Sequence, residues 1–313
     1  MKMRTLGSQG PDISVVGFGA WEAGGKGWGP NPPDEQTIKA MQTAIDNGSN
    51  WIDTAEVYGS GRSEELVGEA LKGRDDVLIF TKVGPEPAGS GFDKAGVRAA
   101  AEASLKRLDR DTIDLYQLHW PDPSIEVEET WTAMAQLVDD GLVKHIGVSN
   151  YDADQIARCE KIRHVDSLQP PFSMLLRKGR FDLFPFCKEN GTGTISYGPL
   201  GYGLLTGTIT KDTEFGEDDW RGGGHGMRGY DWLFVPGKLE RNLAIVDRLK
   251  PVAERLGIKL SQLALAWVFH QEGGTAAIAG SRSPEHVAEN SGAGDVDLDA
   301  GTLAEIEEIL ESD

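Results

Sequence analysis

One feature constrains this chain more than any other: short β-rich runs alternate with helical patterns along almost its whole length. The runs are ISVVGFGA (13–20), WIDTA (51–55), VLIFTKV (77–83), IDLYQLH (113–119), VKHIGVS (143–149), SLQP (167–170), TISYGPL (194–200) and TAAIAG (275–280). In residues 34–48, Ile38, Met41, Ala44 and Ile45 fall at helical spacing and Gly48 supplies a stop. Residues 63–73 open with Ser63 as the expected N-cap and with Glu64 and Glu65 in the first turn. Segments 93–109, 128–141 and 152–162 follow the same pattern. Strand then helix, repeated, implies parallel strands joined by right-handed crossovers. Eight such units close most simply into a (β/α)8 barrel, the TIM-barrel architecture of the α/β class. An open doubly wound sheet is the alternative. That sheet calls for G-x-G-x-x-G after the first strand. Here Gly24, Gly25, Gly27 and Gly29 lead instead through Pro30–Pro33 before any helix starts.

At about 150 residues per domain, 313 residues suggest two domains, yet barrels of this size run as one, and 1–313 reads as a single barrel domain. Two additions are expected. Residues 3–14 read as a β-hairpin turning at Ser8–Gly10 and placed to plug one end of the barrel. Residues 201–237 form a long Gly-rich, acidic loop after the seventh strand, where it overhangs the mouth. Its aromatics (Tyr202, Phe215, Trp220, Tyr230, Trp232, Phe234) argue against plain disorder.

Several function classes are disfavoured. A net charge of −19 argues against a nucleic-acid partner, because phosphate backbones attract basic faces. No apolar run approaches the roughly 18 residues of a membrane span. MKMRTLGSQG lacks the apolar stretch of a secretory signal. Cys159 and Cys187 form no CxxC pair and have no His at metal-ligand spacing. They read as reduced thiols in a cytoplasmic protein without a metal centre. Oligomeric state, monomer or homo-oligomer, is not legible.

In a barrel of parallel strands, chemistry gathers at the strands' C-terminal ends. Asp53 ends the second run, Lys82 the third and His119 the fourth, while Tyr58 follows the second in a glycine loop. Taken singly, each has a structural reading: a cap, a loop ligand, a packed histidine. Together they form a relay. A phenol, with a pKa near 10, is a poor acid at neutral pH. A neighbouring ammonium favours its phenolate. A carboxylate holds that ammonium charged and oriented. Tyr58 then protonates an oxygen becoming an alkoxide, His119 donates a hydrogen bond to it, and hydride must come from a cofactor.

WIDTAEVYGSGRSEELVGEAL, FTKVG, DLYQLHWPDP, GLVKHIGVSN, ISYGPLGYGLLTG and IAGSRSPEHVAEN together resemble an aldo-keto reductase, from the hairpin to about Asn290. The resemblance is greatest to the branch with bacterial reductases and potassium-channel β subunits. It implies a (β/α)8 barrel that binds NADPH without a Rossmann fold, and a tetrad matching Asp53, Tyr58, Lys82 and His119. It implies further that Ser149, Asn150 and Gln169 hold the nicotinamide carboxamide and that Tyr197 stacks on the ring. Gly198, Leu200, Gly201 and Gly203 would follow the pyrophosphate. Gly280, Ser281, Arg282, His286, Glu289 and Asn290 would meet the adenosine end. Thr208 stands where relatives often carry Lys, and His286 where they carry Arg or Gln. Arg282 is then the expected 2′-phosphate ligand, and NADPH is expected ahead of NADH.

Trp21, Trp28 and Trp120, with Trp220 or Trp232, are expected to wall a pocket for a small carbonyl substrate: an aldehyde, a ketone or a sugar. Two rival readings stay open at this stage. One is an NADPH-binding regulatory module with little turnover. The other is a Schiff-base lyase using Lys82 as nucleophile.

Overall fold

The computed structural model describes residues 1–84, 92–222 and 231–312, apart from the side chain of Asp231. An antiparallel hairpin of β1 (Met3–Thr5) and β2 (Asp12–Ser14) comes first. Eight parallel strands follow: β3 (Val16–Gly19), β4 (Trp51–Asp53), β5 (Leu78–Val83), β6 (Ile113–Leu118), β7 (Val143–Ser149), β8 (Ser167–Gln169), β9 (Gly193–Ser196) and β10 (Ala276–Ala279). Strand β10 pairs with both β9 and β3, so the sheet closes on itself. The alternation in the sequence therefore builds the (β/α)8 barrel, and the open sheet is excluded.

Six helices follow the strands in turn: α1 (Asp34–Asp46), α2 (Arg62–Ala70), α3 (Lys94–Leu108), α4 (Val127–Asp139), α5 (Ala153–Glu160) and α6 (Leu183–Asn190). Two helices, α7 (Lys238–Leu256) and α8 (Leu260–His270), separate β9 from β10. Helices α9 (Pro284–Ser291) and α10 (Ala300–Glu311) complete the shell.

Three expectations are adjusted. The first β-rich run is divided: Ile13 and Ser14 belong to the hairpin, and the barrel strand starts only at Val16. The seventh run stops at Ser196, because Gly198 takes φ +66° and turns the chain. Ser63 is not the cap of α2. The N-cap is Gly61, with φ +96° and no side-chain cap, and Ser63 lies inside the helix, fully buried. Its hydroxyl donates to the Ala20 carbonyl at 2.7 Å and meets the Thr54 hydroxyl at 2.8 Å, so it ties the helix to the barrel mouth instead.

Strand periodicity sorts the barrel interior into two storeys. Below, Trp51, Phe80, Leu115, Ile195 and Ile278 form an apolar layer with Leu6 of the hairpin turn. Leu6 has no exposed surface, so the hairpin does plug the lower end. Two residues further along β4, β5, β6 and β8 come Asp53, Lys82, Gln117 and Gln169, all buried. This polar layer lies just under the mouth. Residues 223–230 of the long loop, Tyr230 among them, lie outside the described residues.

Candidate active site

The site is built on that polar layer. Asp53 pairs in register with Phe80, which puts Lys82 two residues higher on β5. The lysine reaches back, and Nζ donates to Asp53 Oδ1 at 2.5 Å and to the Thr54 carbonyl at 2.8 Å. Gln169 Nε2 donates to Asp53 Oδ2 at 2.8 Å, and Gln117 Nε2 approaches the same oxygen at 3.3 Å. The carboxylate thus has both oxygens engaged, as a buried charge requires. Burial lowers the Lys82 pKa below the usual lysine range, and the Asp53 carboxylate opposes that pull.

Tyr58, half-buried, lies above: Lys82 Nζ is 5.3 Å from its ring centroid. The His119 ring meets the Tyr58 ring edge-on at 5.6 Å and stacks on Trp120 at 3.7 Å. Burial, with help from the Lys82 charge, holds the His119 pKa well below the usual histidine value. The imidazole is therefore neutral at pH 7. Its Nδ1 is buried and has no hydrogen-bond partner among the described residues. All four relay residues converge at one end of the barrel although 66 positions separate the outermost two.

A cavity of about 1070 Å³ opens here. Asp53, Tyr58 and His119 line it; Lys82 does not, being wholly enclosed behind them. An amine so placed cannot attack a carbonyl carbon, which removes the ground for a Schiff-base lyase. Ser149, Asn150, Gln169 and Tyr197 line the cavity next. The Tyr197 hydroxyl donates to Asn150 Oδ1 at 2.7 Å, and Asn150 Nδ2 donates to the His119 carbonyl at 2.9 Å. Asn150 adopts φ +63°, a left-handed conformation that a packed site must hold in place.

Gly198, Leu200 and Gly203 continue the wall, whereas Gly201 is buried and does not face the cavity. Gly280, Ser281, Arg282, His286, Glu289 and Asn290 form its far end. A Cβ on Gly280 would come within 2.3 Å of the Gly19 carbonyl, so only glycine fits where β10 and β3 meet under the cavity. The volume is at the top of the roughly 300–1,000 Å³ of ordinary ligand pockets. Amide and hydroxyl groups at the catalytic end, glycines midway and the Arg282 guanidinium at the far end suit a dinucleotide.

Arg282 differs from expectation in its partners. Its guanidinium donates to the Trp28 carbonyl at 2.5 Å, the Pro30 carbonyl at 3.1 Å and Asn31 Oδ1 at 3.2 Å, with Glu22 at 3.6 Å. It holds the loop after β3 across the barrel mouth. That loop also meets the long one: Trp220 N donates to the Gly27 carbonyl, and Trp28 bridges Asp219. Trp21, Trp28 and Trp120 line the cavity. Trp220 does not: it is buried behind Trp21, with ring centroids 6.3 Å apart. Trp232 likewise packs in the cluster behind the wall.

The sequence offered no motif for several lining residues. Glu22, Gln36, Arg221 and Lys259 all face the cavity. Glu22, beside Trp21, had a signal in its neighbour. Lys259 had none, since only the packing of α8 brings its N-cap to this wall.

The closed barrel and the cavity at its strand ends define the class, a (β/α)8-barrel oxidoreductase. This chain belongs to the aldo/keto reductase family, whose model matches residues 15–311. The aldo-keto reductase YhdN of Bacillus subtilis is 36% identical over 293 residues, covering 91% of this chain and 86% of that protein. A probable voltage-gated potassium channel subunit beta of Arabidopsis thaliana is 32% identical over 329 aligned positions, covering 100% and 97%. The structure of an aldo/keto reductase from Klebsiella pneumoniae in complex with NADP and acetate superposes with a TM-score of 0.75. It is 30% identical, over 99% of this chain and 96% of that one. Among the described residues, no helix is long and apolar enough to cross a membrane.

Proposed function

We propose that this protein reduces an aldehyde or ketone to the alcohol, reversibly, with NADPH as the cofactor and Tyr58 as the proton donor. NADPH, when bound, supplies the hydride, which no side chain can. Tyr58 gives its phenolic proton to the substrate oxygen as that oxygen becomes an alkoxide. Lys82 stabilises the phenolate left behind, and Asp53 fixes the ammonium that does so. His119, neutral, donates a hydrogen bond to the same oxygen and aligns it. Trp21, Trp28 and Trp120 offer flat walls to the substrate.

The observation that supports this reading most directly is the Lys82–Asp53 bond of 2.5 Å beneath Tyr58, at one end of a dinucleotide-sized cavity. Ser149, Asn150, Gln169 and Tyr197 would hold the nicotinamide. Arg282 supplies positive charge at the end where a 2′-phosphate would lie, which favours NADPH over NADH, although its donors serve the Trp28–Asn31 loop. The NADP complex of the Klebsiella reductase supports the same choice.

The match to a probable channel β subunit favours a second reading, a nucleotide-binding regulatory subunit with little turnover. One assay separates the two. We expect steady NADPH oxidation with 4-nitrobenzaldehyde, falling by about 10²–10⁴ in Tyr58→Phe while NADPH fluorescence titrations stay unchanged. Tight binding with a single slow turnover in the unaltered protein would select the regulatory reading.

A further inference from the structure

A buried carboxylate, Glu56, lies outside the relay, two residues before Tyr58 and 4% exposed. Two of its bonds lead to the strand that carries Lys82 and to its end. The backbone of the Tyr58 loop leaves β4 in ladder spacing: Thr54 N donates to the Phe80 carbonyl at 2.8 Å, and Glu56 N to the Lys82 carbonyl at 3.3 Å. The next rung comes from the side chain, for Gly84 N donates to Glu56 Oε1 at 2.8 Å. The carboxylate thus extends the pairing of loop and strand just where the main chain turns away towards Tyr58. One residue grips the end of β5 twice, at the Lys82 carbonyl and again at Gly84.

A second carboxylate braces the outer face of the same strand. Side chains alternate along β5, so Thr81 points away from the barrel interior. Its hydroxyl donates to Glu64 Oε1 at 2.6 Å, and Glu64 on α2 is fully buried. Arg107 on α3 serves both acids: Nε donates to Glu64 Oε2 at 2.6 Å, and NH2 lies 3.9 Å from Glu56 Oε2. Two enclosed carboxylates and one guanidinium make a costly arrangement unless they satisfy specific donors. The donors here are Thr81 and Gly84, which flank Lys82.

We propose that Glu56, keyed by Arg107, is a positioning residue that fixes the height of the Lys82 ammonium against the Tyr58 ring. It touches neither substrate nor cofactor. The proposal rests on the reductase reading for its consequence in turnover, but not for its consequence in Tyr58 ionisation. Without the Gly84 bond, the Tyr58 loop loses its carboxylate rung to the end of β5 and keeps the longer Glu56 N–Lys82 carbonyl bond of 3.3 Å, so the distance of the ammonium from the phenol is less firmly held.

The test is a spectrophotometric titration of Tyr58 in the full chain, read at the phenolate band as the difference from the matching Tyr58→Phe protein. In Glu56→Ala the Tyr58 titration moves up by about one unit, as expected when a nearby cation recedes. Glu56→Gln, which keeps an oxygen for Gly84 N but no charge, stays near the parent. Glu56→Asp, one methylene too short, shifts like alanine and stands in for it should the alanine variant fail to fold. With 4-nitrobenzaldehyde and NADPH, kcat falls about tenfold or more in the alanine and aspartate variants, recovers in the glutamine variant, and KM and NADPH affinity hold. An unshifted Tyr58 titration in Glu56→Ala or Glu56→Asp overturns the proposal, and so does a glutamine variant as impaired as either. A parent protein without turnover counts against the reductase reading alone, because the titration is still read.

Discussion

At the scale of single residues, the site depends on charges held in a buried layer and paired there. Asp53 and Lys82 are each buried and satisfied by one another, by the Thr54 carbonyl and by Gln169. His119 is the opposite case, a titratable group held uncharged by burial and by the Lys82 charge. Its pKa is depressed in the folded state, whereas the unfolded chain takes up the proton below about 6.5. The unfolded state therefore binds more protons as pH falls, and stability drops below that point. Above it, this group makes no contribution to the slope. We expect the urea midpoint to decline from about pH 6.5 towards pH 5, and His119→Gln to remove up to about 1.4 kcal/mol per pH unit of that decline. Identical slopes in the two proteins would refute the assignment. The types and order of these residues were legible in WIDTAEVYG, FTKVG and YQLH. Arg221 and Lys259 were not, because nothing local distinguishes a lining cation from a surface one.

Among the elements, the hairpin and the crossing loops show how local signals meet tertiary demands. The hairpin turn was readable from Ser8–Gly10, and its position follows from Leu6, whose side chain enters the apolar storey beside Trp51 and Phe80. Leu6→Ala leaves a cavity at the base of the barrel and should cost about 2–5 kcal/mol, measured by equilibrium unfolding, with KM unchanged because the mouth lies at the other end. A loss below about 1 kcal/mol would mean that the plug is loosely packed. Ser63 shows the reverse situation. Its sequence context favours a cap, but Ala20 and Thr54 offer buried partners, and those bonds outweigh the local preference. Arg282 likewise looks from its motif like a phosphate ligand, and it spends its donors on the Trp28–Asn31 loop.

For the whole molecule, closure is the decisive property: β10 pairs with β3, and no free edge remains in the barrel. Cys159 and Cys187, both fully buried, report on it. Burial raises each thiol pKa to about 12, so the nucleophilic thiolate is scarce as well as inaccessible. We expect both to resist a thiol reagent at pH 8 in the native protein and to react together when the chain unfolds. Rapid modification of either one alone would show that the helical shell opens locally, without the barrel.

The sequence alone determined the period of the chain. Strand and helix propensities, turn residues and the apolar alternation are local properties, and eight repetitions leave few ways to close. It also determined which chemical groups stand at the strand ends, since those positions follow from where each run stops. Only the tertiary structure decided which of them meet. The 2.5 Å contact between Lys82 and Asp53, the enclosure of that lysine, the neutral His119 and the grip of Glu56 on Gly84 all depend on register and burial. Those quantities arise between segments far apart in the chain. A Coulomb interaction or a desolvation cost has no value until folding fixes the distance and removes the water.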